Sequence, residues 1–284
     1  LSLGLGLTVL VTIALIEGNF SRAVNDEIPQ DAPTFFFVDI QPDQLEPFRA
    51  LVESEPGVNG FRATPMMRGR ITQINGVEAR QAVVDPDEAW VLNGDRGVTY
   101  KAEPANQGET LAGEWWSPDY QAGRDGPPLV SVEDSIAEAF GIGPGDEITV
   151  NILGRNITAE IAHVREVNWG TVQINFTLIY APGLLESAPQ TWLATVKAPP
   201  DAEAAIQRGV PAAFPNISMI RVADAIDTVN TVLSNIATAV RATAAVTLVA
   251  GTMVLATENA EGNRQLNYDA VVLKVLGATR WTVL

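Results

Sequence analysis

The chain has one imidazole, His163, and no cysteine. His163 stands in AEIAHVREV, a run in which apolar residues recur at short intervals. Without a second histidine or any thiolate, an ordinary zinc site cannot be assembled. His163 therefore reads as a strand histidine with its hydrogen bonds met. Carboxylates are plentiful, 34 Asp and Glu against 18 Lys and Arg. Glu114, Asp119, Glu133 and Asp134 could be posed as an acid–base pair, but in so acidic a chain they read as solvated surface charge. No GxSxG stretch or histidine partner supplies a nucleophile. The glycine runs Gly4-x-Gly6 and GIGPG lack the strand–turn–helix setting that makes a phosphate cradle. No catalytic residue, metal ligand or cofactor site is expected. What remains is the adjacent pair Trp115 and Trp116 in AGEWWSPDY. Two indoles side by side either fill a join between subdomains or offer an apolar surface to a hydrophobic cargo.

The elements that would position this pair lie in the middle of the chain. Two segments look alike, one from Thr34 (TFFFVDIQPDQLEPFRALVESEPGVNGFRATP) and one from Thr191 (TWLATVKAPPDAEAAIQRGVPAAFPNISMIRV). Each predicts a strand, a helix started at proline (Pro42 or Pro200) and a second strand. They are expected to form two halves of one α/β subdomain, residues 34–77 and 189–221. Between them, residues 78–188 read as a β-rich insertion. DEITVNILGRNITAEIAHV predicts a hairpin about a Gly154-Arg155-Asn156 turn. TVQINFTLIY predicts a strand with Val172, Ile174, Phe176, Leu178 and Tyr180 on one face. VSVEDSIAEAFGIGPGD predicts a helix closed by Gly141.

Both ends are apolar. Residues 1–16 carry no charge and would cover about 24 Å as a helix, against a hydrocarbon core of about 30 Å. They read as a shortened membrane helix, and residues 242–257 as a second one with Arg241 at its rim. Upstream of the second, Val222, Ile226, Val229, Leu233, Ile236 and Val240 are spaced 4, 3, 4, 3, 4, a heptad-like stripe. Phe20, Val24 and Ile28 give a matching stripe after the first. The two are expected to pack as an antiparallel stalk, residues 17–33 with 222–241. The fold class is thus an α+β domain held between two transmembrane helices. Residues 17–238 hold 31 acidic and 14 basic residues, a surplus of −17 within a net −16. So acidic a domain repels the phosphate backbone of a nucleic acid, which argues against nucleic acid as a partner.

Beyond the second span, residues 258–284 hold NRQLNYDAVVLKVLGATR. Asn267 can cap a helix here, Asp269 suits its positive end, and Gly277 can close it. Tyr268, Val271, Val272, Val275 and Leu276 share one face at 100° per residue. A helix lying in a lipid surface usually carries several Lys or Arg on its polar face, and this one has only Lys274. The stripe is therefore expected to sit in a groove on a partner protein.

These strings, with FFFVDIQPDQ, DRGVTY, AGEWWSPDY, GPPLVSVE, GDEITVNILGR, INF and YDAVVLKVLGATR in order, resemble the FtsX-like permeases, the MacB-type class of ABC transporter, and most closely their YbbP-type branch. The resemblance spans most of the chain. It implies a multi-pass protein of the bacterial cytoplasmic membrane, with residues 34–221 as a MacB-like periplasmic domain and no ATPase activity of its own. A separate ATP-binding subunit would drive it through the coupling helix bearing Tyr268, Val271, Val272, Val275 and Leu276. A second permease unit or a dimer mate would complete it, and its transport cargo would be hydrophobic or lipid-like, for export or extraction. Such permeases carry four membrane helices per unit, so the chain is expected to be a fragment of a longer protein. It departs from the family in TENAEGNRQLN, acidic where a basic run is usual. The alternative is an FtsX-type regulator that recruits a periplasmic partner, such as a hydrolase, without transporting anything.

Overall fold

The computed structural model describes residues 32–82, 90–104, 108–169, 173–229 and most of 231–253. In chain order the elements are β1 (Phe35–Ile40), α1 (Leu45–Glu53), β2 (Asn59–Ile74), β3 (Val77–Glu78), α2 (Ala79–Ala82), β4 (Arg96–Tyr100), β5 (Thr110–Gly113), β6 (Leu129–Glu133), α3 (Asp134–Phe140), β7 (Glu147–Ile152), β8 (Arg155–Arg165), β9 (Leu178–Tyr180), β10 (Thr191–Lys197), α4 (Pro200–Ala213) and β11 (Ser218–Arg221). They make a mixed α/β domain with a large sheet.

Both look-alike segments are strand–helix–strand, and they interleave. The order β11-β1-β10-β2 is antiparallel throughout. Hence β1 runs parallel to β2 with β10 between them, and β10 parallel to β11 with β1 between them: two split βαβ units in one sheet. Alternation decides the faces. Phe35 and Phe37 are wholly buried beneath the helices, whereas Phe36 and Val38 turn to the opposite face. Leu45, Phe48 and Val52 of α1 and Ala202, Ile206 and Val210 of α4 form the covering stripes. Phe48 meets Phe37 edge-on at 4.8 Å. The second helix starts at its proline as predicted. The first starts three residues after Pro42, because Gln44 closes a turn back to Gln41 through its backbone N–H and its side-chain oxygen.

The remaining strands close on themselves. Past Met66, β2 leaves β10 and pairs with β4 on one edge and β7 on the other. The circuit β2-β7-β8-β6-β9-β4 then returns to β2, a six-stranded barrel with parallel pairs β6/β8 and β4/β9. Closure removes the edges that an open sheet would present. Val98, Val130, Ile148, Ile161, Leu178 and Tyr180 fill the interior. Gly69 is the crossing point, paired to Arg96 on one side and Ile152 on the other. A Cβ there would lie 2.6 Å from Val150 Cγ1 and 2.9 Å from Val98 Cγ2.

Two predicted details shift. The hairpin turn is Leu153-Gly154, with φ of +49° and +85°, so β8 already begins at Arg155. Asn151 and Asn156 bond across the ladder at 2.6 Å and Asn151 Oδ1 accepts from Gly154 N–H, which fixes the tighter turn. Of the strand predicted from Val172, the described residues are regular over Leu178–Tyr180, and before them the Phe176 carbonyl is taken by a guanidinium. The predicted helix α3 is closed by Gly141 in the left-handed region. GIGPG is a turn entering β7. Its Gly145 donates to Ile161 O, Ile161 N–H returns to Asp146 O, and the Asp146 carboxylate ties Gly143 N–H to Asn75 Nδ2.

The described residues between 222 and 253 are helical, and from Ile226 onward they belong to a second compact unit. Within it, the hydroxyls of Thr231, Thr238 and Thr243 donate to carbonyls four residues earlier. Val229 is 47% exposed and Ile236 55%. Among the described residues no helix is long and apolar enough to cross a membrane. Residues 1–16, the stalk positions Phe20, Val24, Ile28 and Leu233, the tail of 242–257, and the helix with Tyr268, Val271, Val272, Val275 and Leu276 lie outside the described residues.

Candidate functional site

On the outer wall of the barrel, polar side chains gather where β4, β9, β6 and β8 run side by side. Alternation sends Val130 and Val132 inward and Ser131 and Glu133 outward, and on β8 a register shift between the inward Ile161 and His163 leaves His163 and Arg165 outward. All four are buried: Ser131 0%, Glu133 3%, His163 6% and Arg165 3% exposed. Burial on this scale demands partners, and they are present. Arg165 donates to Ser131 Oγ at 2.9 Å and to the Phe176 carbonyl. Ser131 Oγ lies 2.8 Å from His163 Nδ1, and His163 Nε2 lies 3.0 Å from Thr110 Oγ1. A guanidinium only donates, so Ser131 accepts from Arg165 and its own proton is free to point at Nδ1. In that arrangement His163 is neutral and its Nε2–H donates to Thr110.

The electrostatics agree. Burial, and secondarily the Arg165 charge, push the His163 pKa down. Burial brings Arg165 down to about 10, opposed by Glu133 and Asp134, so it stays charged at neutral pH. Glu133 accepts from Ser135 Oγ at 2.6 Å and from Trp169 Nε1 at 3.1 Å. A hydroxyl on an imidazole is the beginning of a nucleophilic pair. Here the hydroxyl is sealed from solvent and already engaged by Arg165, so the cluster holds structure and offers no attack on a substrate. Among the described residues no group of three His, Asp or Glu could hold a metal.

The tryptophan pair lies over this wall. Trp115 and Trp116 stack with centroids 4.1 Å apart, and Trp115 meets His163 edge-on at 5.5 Å. The carbonyls that follow β4 anchor both: Trp116 Nε1 donates to Lys101 O at 2.9 Å and Trp115 Nε1 to Ala102 O at 3.0 Å. Gly113 places the pair. Its φ is +74° and a Cβ would fall 2.1 Å from Ala162 O, so only glycine brings the chain this close to β8. Trp116 packs with Phe176, Ile179 and Ala181, while Met66 of β2 and Leu193 of β10 reach the same cluster. The pair thus lies where the split βαβ sheet meets the barrel. Trp116 is buried and Trp115 half-buried.

Of the carboxylates singled out from the sequence, Glu114 and Asp119 are exposed, as solvated charge should be. Glu133 is a correction: Trp169 and Ser135 draw it into the wall. Sequence reading also missed Ser131, Arg165, Thr110 and Lys101. The usable signal was the spacing Ser131-x-Glu133 and His163-x-Arg165, polar residues two apart in otherwise apolar strands.

No family model matches the chain. Over 278 residues, 96% of its length, it is 25% identical to the uncharacterized ABC transporter permease YbbP of Escherichia coli. It spans about a third of that protein's length, 32%. A solved domain of a Porphyromonas gingivalis protein described as a candidate permease shares 14% identity at a TM-score of 0.36, covering 66% of this chain and 91% of that one.

Proposed function

We propose that this chain, a relative of the ABC transporter permeases over nearly all its length, is part of a permease of the mechanotransmission type. The observation that carries the reading is the breadth of the likeness. At 96% coverage it runs through the split sheet and the barrel and into both apolar ends. ATP is hydrolysed by a separate subunit docked on the helix face of Tyr268, Val271, Val272, Val275 and Leu276. Residues 1–16 and 242–257 cross the bacterial cytoplasmic membrane. The stripe of Phe20, Val24 and Ile28 packs on Val229, Leu233 and Ile236 as a stalk. The exposure of Val229 and Ile236 supports an apolar stripe that needs a partner. The mixed α/β domain lies on the periplasmic side and handles a hydrophobic or lipid-like cargo. A second permease unit or copy completes the pathway.

The test uses the full-length protein in membranes with its ATP-binding subunit. Val272→Asp and Leu276→Asp each put a charge into the docking stripe. Stimulated ATP hydrolysis is expected to fall to the level of the isolated subunit while the permease stays inserted. Full stimulation in both variants would sink the coupling assignment. Failure of any ATP-binding subunit to co-purify with the wild-type protein would sink the permease reading itself.

A further inference from the structure

In a chain of net charge −16, two cations, Arg62 and Lys101, lie within electrostatic reach of one another. Neither Arg62 nor Lys101 makes an ion pair among the described residues. Lys101 follows β4 on its outward face, two residues after Thr99, whose hydroxyl donates to Pro65 O of β2. Its own carbonyl holds Trp116. Arg62, Thr64 and Met66 alternate onto the face of β2 opposite the helices, and Met66 enters the tryptophan cluster. Both cations therefore face the same corner, between the side of the split sheet opposite its helices and the barrel wall. Arg165 charges that wall from behind. After burial itself, Arg165 and then Arg62 make Lys101 give up its proton more readily, as expected of cations within electrostatic reach of one another. The corner's floor is apolar: Phe36 and Val38 are half-buried outside the helix-covered core, and Leu193 lies beside them on β10.

We propose that this corner binds an amphiphile, an acyl chain with an anionic carboxylate or phosphate head, the head on Lys101 and Arg62 and the chain along Phe36, Val38 and Leu193 beside Trp115. An anion placed there would balance the charge of the half-buried Lys101 and its exposed neighbour Arg62, and it would form charge-assisted hydrogen bonds. A neutral lipid would gain only the apolar contact. As the identity of the cargo this rests on the permease reading, but binding itself needs no ATPase, so the two fail separately.

The test uses the full-length protein in phosphatidylcholine nanodiscs and a diazirine-bearing C16 carboxylate as the probe. Cross-links mapped by mass spectrometry are expected in the peptides holding Phe36–Val38 or Arg62–Met66. Lys101→Gln should cut that labelling about tenfold, the loss of one charge-assisted contact, and Lys101→Arg should restore most of it. Decanoate and decyl phosphate are the competing arms. Competition by the first alone assigns a fatty-acid carboxylate, by the second alone a phosphate head group, and by both the shared anionic chemistry. The proposal is overturned if the matching diazirine alcohol labels these peptides equally, if Lys101→Gln labels like wild type, or if the peptides stay unlabelled.

Discussion

His163 shows how one side chain can tie stability to pH. Its ring is buried between Ser131 and Thr110 with a cation nearby, and its pKa is depressed for those reasons. Below the ordinary imidazole value of about 6.5 the unfolded chain takes up a proton that the folded chain refuses. Stability conferred by the neutral ring is therefore complete above about pH 7 and is lost progressively as the pH falls through that value toward the lower folded one. His163→Gln keeps a donor for Thr110 and removes the titration. Its urea midpoint should change less between pH 7.5 and 5.5 than that of the wild type, and equal slopes would remove His163 from the pH response. The sequence made His163 legible as a strand residue with its bonds met. It did not reveal Arg165 as its neighbour's donor, because that contact depends on the parallel pairing of β6 and β8 across more than 30 residues of chain.

At the scale of elements, the long strand β2 joins the two sheets, leaving β10 after Met66, and Gly69 is where it pairs with β4 and β7 at once. Gly69→Ala pushes a methyl into Val150 and Val98 on the inner wall. Overpacking of this kind costs about 1–3 kcal/mol. A lowered denaturation midpoint with unchanged m-value is the expected outcome, and an unchanged midpoint would mean that the barrel gives at its seam. Alternation along β1, β7 and β8 and the stripes of α1 and α4 were legible because they are local patterns of period 2 and 3.6. Barrel closure was not, since it joins strands from Met67 to Tyr180 through pairings that no local period encodes. Of the strand expected at Val172–Tyr180, the described residues form a ladder at Leu178–Tyr180, and a tertiary partner, Arg165, holds the Phe176 carbonyl just before it.

At the scale of the molecule, the domain is an insert with its own cores. The stripes of the split sheet and the barrel interior form separate buried clusters, and the tryptophans bridge them. Residues 32–224 should therefore fold when expressed alone, giving one cooperative thermal transition and dispersed amide resonances. A collapsed, non-cooperative product would show that the cores depend on the flanking segments. The chain enters and leaves this domain at one place. Phe35 pairs with Arg221, Val222 N–H donates to Thr34 O at 3.0 Å, and Arg221 is braced by Glu203 at 2.7 Å and Asp224 at 3.0 Å. Here β1 begins and β11 ends, side by side and antiparallel. Drawn apart at this end, the two strands would peel like a zipper, one backbone hydrogen bond at a time from the Phe35–Arg221 pair. The ion pairs at Arg221 act as the clasp that resists the first step.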